Sequence, residues 1–168
     1  MKPILIILVT FLVILGSMST QKPINPDMKK VTGIGGIFFK CKDAKTMNAW
    51  YQQHLGFKKL SDEEQSMMFE WRDADDPSQT GYTVWGPFKE STTYFEPSQK
   101  DYMINLRVEN LEALLEELKQ AGVPIIGEME SYEYGKFGWI MDPEGNKIEL
   151  WEPVDSEFTK IYEGKTIH

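Results

Sequence analysis

Few residues in this sequence could carry covalent or metal chemistry, and their surroundings decide which of them can. Two histidines, His54 and His168, and one cysteine, Cys41, make up the whole inventory of imidazole and thiol side chains. A single thiol excludes an internal disulfide and any multi-cysteine metal centre. Cys41 shares an alternating run with Ile37 and Phe39, which places it on a helix-facing side. It is expected to be a buried, inert thiol, because a nucleophile needs exposure and a basic partner. His54 lies near the end of a helical segment, with Met47, Trp50 and Tyr51 at i, i+3, i+4 and i+7, and reads as part of its packing face. Asp142-Pro-Glu-Gly-Asn146 looks superficially like a calcium loop, but it lacks the acidic repetition such loops need and reads as a turn. Among the carboxylates, Glu149 stands out. In Lys147-Ile-Glu-Leu-Trp151, alternation sets Lys147, Glu149 and Trp151 on one face, with Ile148 and Leu150 packed beneath a helix on the other.

The elements that position these residues come in two copies. Asp142-Pro143, Trp151 and Pro153 repeat Asp76-Pro77, Trp85 and Pro87 at a constant offset of sixty-six residues. Two motifs in register point to a duplicated unit. Gly36 to Asp43 leads into a helix ending at Leu55-Gly56, and Met103 to Asn110 leads into a helix ending at Ala121-Gly122. Asp43 and Asn110 are good N-caps, and the glycines are stop signals. Strands are expected at Phe57–Leu60, Ser66–Trp71 and Tyr82–Trp85 in the first unit. The second unit should add Val123–Met129, Phe137–Met141 and Lys147–Glu152. Ser91 to Lys100 reads as the connection between units.

Bulk properties bound the partners. The chain has 168 residues, 41% of them apolar and 12% aromatic, enough for one domain with a shared core. A net charge of −8, from 26 acids against 18 bases, argues against nucleic acid or an anionic membrane surface as partner. Lys2, the apolar run Ile4 to Leu15 and the small residues Ser17 and Ser19 have the layout of a secretory signal peptide over 1–19. The alternative is an amino-terminal membrane anchor through residues 4–18, although the run is short for a bilayer span. Export to the periplasm or the extracellular space is the expectation. Residues 20–30 read as a linker, 31–153 as the domain, with units 31–88 and 101–153, and 154–168 as a tail. Phe158, Ile161 and Tyr162 of that tail are expected to wrap across the chain's own sheet or a partner's.

The entry Gly36-Ile-Phe-Phe-Lys-Cys-Lys-Asp43, the helix end Trp50-Tyr-Gln-Gln-His-Leu-Gly56 and the close Asp142-Pro-Glu-Gly-Asn-Lys-Ile-Glu-Leu-Trp-Glu-Pro153 resemble the vicinal oxygen chelate superfamily. That superfamily includes glyoxalases, extradiol dioxygenases, fosfomycin-modifying enzymes and bleomycin-binding resistance proteins. The resemblance implies an α+β fold of two paired βαβββ modules, forming a half-open eight-stranded barrel around a groove with helices outside. Pairing within one chain or across a homodimer is compatible with it.

The resemblance also implies four groove positions for metal ligands, which here carry Gly36, Thr83, Met103 and Glu149. Glycine offers no ligand atom, a thioether is a poor donor to hard divalent ions, and threonine offers at most a neutral hydroxyl. One carboxylate does not hold a catalytic metal, so no metal or other cofactor is expected. Alternation instead turns Phe38, Lys40, Thr83, Trp85, Met103, Asn105, Arg107 and Trp151 into the groove, joined by Phe137 and Trp139. The expected site is an aromatic-walled pocket around Glu149. Phe38, Thr83, Trp85, Met103, Asn105, Arg107, Trp139 and Trp151 are its substrate-binding candidates. Tryptophan faces and a carboxylate suit a small aromatic or cationic molecule. The favoured function is metal-free binding of such a molecule. The alternatives are a metal-independent lyase or isomerase with Glu149 as general base and, less favoured, a metal-dependent glyoxalase or dioxygenase. The bland alternative is that the aromatics pack on one another and Arg107 pairs with Glu149.

Overall fold

A computed structural model describes residues 29–61, 65–162 and 164–167; the amino-terminal apolar run, on which the export expectation rests, and His168 lie outside the described residues. The strands are β1 (Gly33–Cys41), β2 (Met67–Arg72), β3 (Thr80–Lys89), β4 (Tyr102–Arg107), β5 (Ile125–Tyr132), β6 (Gly135–Met141) and β7 (Lys147–Pro153). The helices are α1 (Ala44–Leu55), α2 (Leu111–Gln120) and α3 (Asp155–Tyr162). The strands form one mixed sheet in the order β2-β3-β1-β4-β7-β6-β5. Each half contributes a strand, a helix and then further strands, and the halves meet where β1 runs antiparallel to β4. Among the described residues no helix is long and apolar enough to cross a membrane.

Local chemistry explains the helix boundaries. The Asp43 carboxylate accepts from the backbone N–H of Lys45 at 2.9 Å and of Thr46 at 3.2 Å, and Gly56 ends α1 with φ of 70°. These bonds satisfy amide groups that have no intrahelical partner. Asn110 caps α2 through the Ala113 N–H at 3.0 Å, and Glu152 accepts from Leu111 N at 2.7 Å. The leucine stripe of α2 then lands on the sheet, where Leu111, Leu114, Leu115 and Leu118 pack with Val108, Ile140, Ile148 and Leu150.

Two expectations need correction. Phe57–Leu60 is not a strand, so the described sheet has seven strands rather than eight. Instead, the Phe57 ring packs between Tyr51, Phe69 and Trp85, and Leu60 enters the core. The packing face of α1 is rotated from the expected one. Ala44 and Asn48 are its buried residues, and Asn48 Nδ2 donates to Gln65 O at 2.5 Å. Trp50 stays 50% exposed, meeting Tyr51 edge-to-face and His54 at a tilt at the surface. The tail is helical, and it wraps its own sheet. Phe158 joins Leu60, Met68, Tyr82 and Trp151 in one cluster. Beyond α3, Ile167 O accepts from Glu70 N at 2.8 Å and Ile167 N donates to Met68 O at 2.9 Å, which adds a bridge to the outer edge of β2.

The sheet is curved strongly enough that Tyr82 on β3 and Trp151 on β7 share a cluster, although β1 and β4 lie between them in the sheet. A second cluster, Phe38, Phe95, Met103 and Trp139, lies on the same concave side. Between these clusters sits the cavity.

Candidate functional site

The concave face encloses a cavity of about 420 Å3 that reaches from Val84 on β3 through Asn105 on β4 to Glu149 on β7. Its aromatic walls include Phe38, Phe88, Tyr94, Phe137, Trp139 and Trp151. Glu130, Tyr132 and Tyr134 stand at the exposed side, and Phe158 reaches in from α3. That size is at the lower end of the range for small-molecule sites, about 300–1,000 Å3.

Glu149 is its polar centre. The residue is 2% exposed, and three donors converge on its carboxylate. Asn105 Nδ2 donates to Oε1 at 2.6 Å and Trp139 Nε1 donates to Oε2 at 2.8 Å. The Tyr94 hydroxyl also donates to Oε2. An ionised carboxylate offers only acceptors, so three donors match that form. Burial first, and then the Glu149 carboxylate, push the Tyr94 phenol far above its ordinary range, so Tyr94 remains a donor throughout the neutral range.

Lys147, two residues before Glu149 on the same face, is 8% exposed. Its ammonium donates to Tyr94 O at 2.7 Å and lies 5.3 Å and 5.4 Å from the ring centres of Tyr94 and Trp139. Burial lowers its pKa, with Glu149 pulling the other way. Lys147 thus fastens the connecting segment, and Ser98 Oγ adds a second clamp by donating to Gly145 O at 2.7 Å. Between these clamps Phe95 is fully buried, which delivers the Tyr94 hydroxyl to Glu149.

The candidate residues divide by location. Phe38, Asn105, Trp139, Glu149 and Trp151 line the cavity together. Met103 lies behind the wall, fully buried among Phe38, Phe95 and Trp139. Arg107 pairs with Asp155 at 2.5 Å, not with Glu149, and its guanidinium lies over the rings of Trp71 and Trp151 at one end of the sheet. Thr83 and Trp85 do not line the cavity. Thr83 Oγ1 donates to Ile34 O and accepts from Trp71 Nε1, while Trp85 packs with Phe39, Tyr51 and Phe57 beneath α1.

The cause of this last correction is register. On the cavity side, Gly36 pairs with Val84 and Asn105 pairs with Glu149, so Val84 is the counterpart of Glu149. The Asp-Pro repeat sets Thr83 there, one residue out of phase. In a strand, a shift of one residue turns every side chain to the opposite face.

Cys41 is 8% exposed, and burial followed by the Asp43 carboxylate pushes its thiol up, as an inert side chain requires. His54 is at the α1 surface, away from the cavity. Among the described residues, no group of three or more His, Cys, Asp or Glu side chains is arranged so that it could hold a metal ion. Around Glu149 the strand positions carry Gly35, Val84 and Asn105, and N–H and O–H donors point at the carboxylate where a cation would need lone pairs. This donor set does not fit a divalent metal.

Sequence reasoning misses Tyr94, which falls in the expected connection between units, Ser91 to Lys100. The adjacent aromatics Tyr94-Phe95 within an otherwise polar stretch were the available signal.

Comparison with known proteins places this geometry in a family. The sequence profile of the Glyoxalase/Bleomycin resistance protein/Dioxygenase superfamily matches residues 33–150. The chain belongs to that superfamily. A Streptomyces coelicolor methylmalonyl-CoA epimerase variant in complex with 2-nitronate-propionyl-CoA is similar in structure, with a TM-score of 0.52 at 16% identity, over 74% of this chain and 99% of that one. Methylmalonyl-CoA epimerase from Mycobacterium tuberculosis matches at 20% identity and a TM-score of 0.46, over 77% of this chain and 93% of that one. A superfamily member from Vibrio splendidus 12B01 gives 16% identity and a TM-score of 0.47, covering 71% and 97%. No curated protein matches. At 16% identity the likeness to the Streptomyces coelicolor structure shows the fold alone, and the chemistry has to come from the site.

Proposed function

We propose that this superfamily member binds a small aromatic cation in the cavity around Glu149, without a metal, in a groove formed by its two paired modules as a half-open barrel. The observation that carries this reading is the pairing of aromatic walls with carboxylates. Glu130 and Glu149 line the cavity, and no lysine, arginine or histidine does so among the described residues. With the nearby Lys147 ammonium counted, the two carboxylates still leave the neighbourhood negative. Ring faces attract a desolvated cation by about 2 kcal/mol or more, and a carboxylate at the base adds direction. The amino-terminal sequence supports action outside the cytoplasm, with residues 1–19 as the export signal.

A second reading keeps Glu149 as general base in a proton transfer. It is favoured by one detail: among the described residues Oε1 accepts a single bond, from Asn105, and so retains a lone pair for a substrate proton. Titration of the purified protein with 4-aminoquinoline, a cation at neutral pH, followed by tryptophan fluorescence, tests the first reading. Quenching is expected from ring contact with Trp139 and Trp151, and Glu149→Gln should weaken binding about tenfold or more. Equal affinity for naphthalene sulfonate, an anion of similar shape, would overturn it. Turnover of any carbon acid by the parent protein that Glu149→Gln abolishes would favour the second reading.

A further inference from the structure

The family-matched region ends at residue 150, yet two residues of the cavity wall, Trp151 and Phe158, come from beyond it, and Phe158 stands on a separate element, α3. Phe158 on α3 is 9% exposed, and its ring centre lies 5.7 Å from that of Tyr82, 5.0 Å from Trp151 and 6.1 Å from Tyr134. Tyr82 belongs to the first half of the chain, Trp151 and Tyr134 to the second. Phe158 therefore closes the cavity across the two halves.

Its placement is held from both sides. Ahead of it, Asp155 pairs with the buried Arg107 at 2.5 Å. Beside it, the Thr159 hydroxyl is 2.8 Å from the Tyr82 hydroxyl. Beyond it, the fully buried Thr166 donates to Glu70 at 2.9 Å, and Ile167 is bridged to the β2 edge. A ring fixed by an ion pair, a hydroxyl contact and a backbone bridge is a rigid wall.

We infer that Phe158 is the specificity-determining wall of the site, and that α3, held in place by Asp155, Thr159, Thr166 and Ile167, limits the ligand to a compact cation of one or two fused rings. This rests on the cation-binding reading above for the charge of the ligand, but not for the position of the wall. The limit comes from the position of the wall and not from the volume of about 420 Å3: a ligand seated against Glu149 and lengthened toward α3 meets the Phe158 ring. Rejection follows because a well-packed cluster yields to an inserted ring only by displacing its neighbours.

The test compares the full chain with Phe158→Ala and Phe158→Leu. Leucine keeps an apolar side chain in the cluster, so the comparison holds if alanine loosens the fold. Affinities are measured for 4-aminopyridine, 4-aminoquinoline and 9-aminoacridine, cations of one, two and three rings, and for the neutral series phenol, naphthol and hydroxyanthracene. The parent protein should bind the three-ring cation about tenfold or more weaker than the two-ring one, and both variants should remove that gap. An unchanged size ranking in the variants, or no gap in the parent, overturns the inference while cation binding stands. A gap seen with the neutral rings alone keeps the wall and overturns the charge reading. Failure to bind either series overturns both.

Discussion

Tyr94 donates its hydroxyl to Glu149 across fifty-five residues of sequence, joining the segment between the two halves to the last strand of the second. The bond is the point at which connection and site become one structure. Lys147 holds Tyr94 by its backbone carbonyl, and Trp139 meets the same carboxylate oxygen from β6. Removing any of these groups should therefore disturb both stability and binding.

Tyr94→Phe removes one donor from a buried carboxylate and keeps the ring. A hydrogen bond to a charged group contributes about 1.5–3 kcal/mol, so urea unfolding should show a loss of that order. A loss below about 0.5 kcal/mol would mean the bond contributes nothing net. The phenol's raised pKa adds a pH signature. Its stabilisation is fully present below the ordinary tyrosine value of 10.0 and is lost as pH rises through the higher folded value. Stability should therefore fall in strong alkali for the parent protein, and less so for Tyr94→Phe.

Lys147 works with the opposite sign. Burial lowers its folded pKa below the ordinary lysine value of 10.5, so the unfolded chain binds more protons between the two. Stability should rise with pH through that alkaline window, and Lys147→Met should flatten the rise. Denaturation midpoints measured at successive pH values decide it, and an identical slope in both proteins would rule out a buried lysine here.

Gly35→Ala probes how closely the strands approach. A methyl group at Gly35 would lie 2.0 Å from Asn105 Oδ1 and 2.8 Å from Trp151 Cε3. Overpacking of this kind costs about 1–3 kcal/mol. Because the displaced Asn105 also donates to Glu149, ligand affinity should fall along with stability. Full affinity in a folded Gly35→Ala protein would show that Asn105 is not needed at its present place.

Asn110→Ala tests a cap remote from the cavity. Loss of the 3.0 Å bond to Ala113 N should cost about 1 kcal/mol, and Asn110→Gly only a few tenths. Binding should not change in either variant. Loss of binding without loss of stability would tie α2 to the site directly.

Sequence alone carried the periodic features. The caps Asp43 and Asn110, the leucine stripe of α2 and the alternation that sets Glu149 beside Trp151 depend on neighbours a few residues away. Tertiary structure decided what depends on register and on long closures. The Asp-Pro repeat promised equivalent tryptophans, but the two strands stand one residue out of phase, so Trp85 faces α1 while Trp151 faces the cavity. Nothing local marks such a shift, because strand phase is fixed by pairing with β1 and β4. Tyr94 and Phe158 reach the site from segments without sheet periodicity, brought there by Lys147, Phe95 and the Arg107–Asp155 pair. Their places follow from contacts made over long sequence separations, which composition and spacing do not encode.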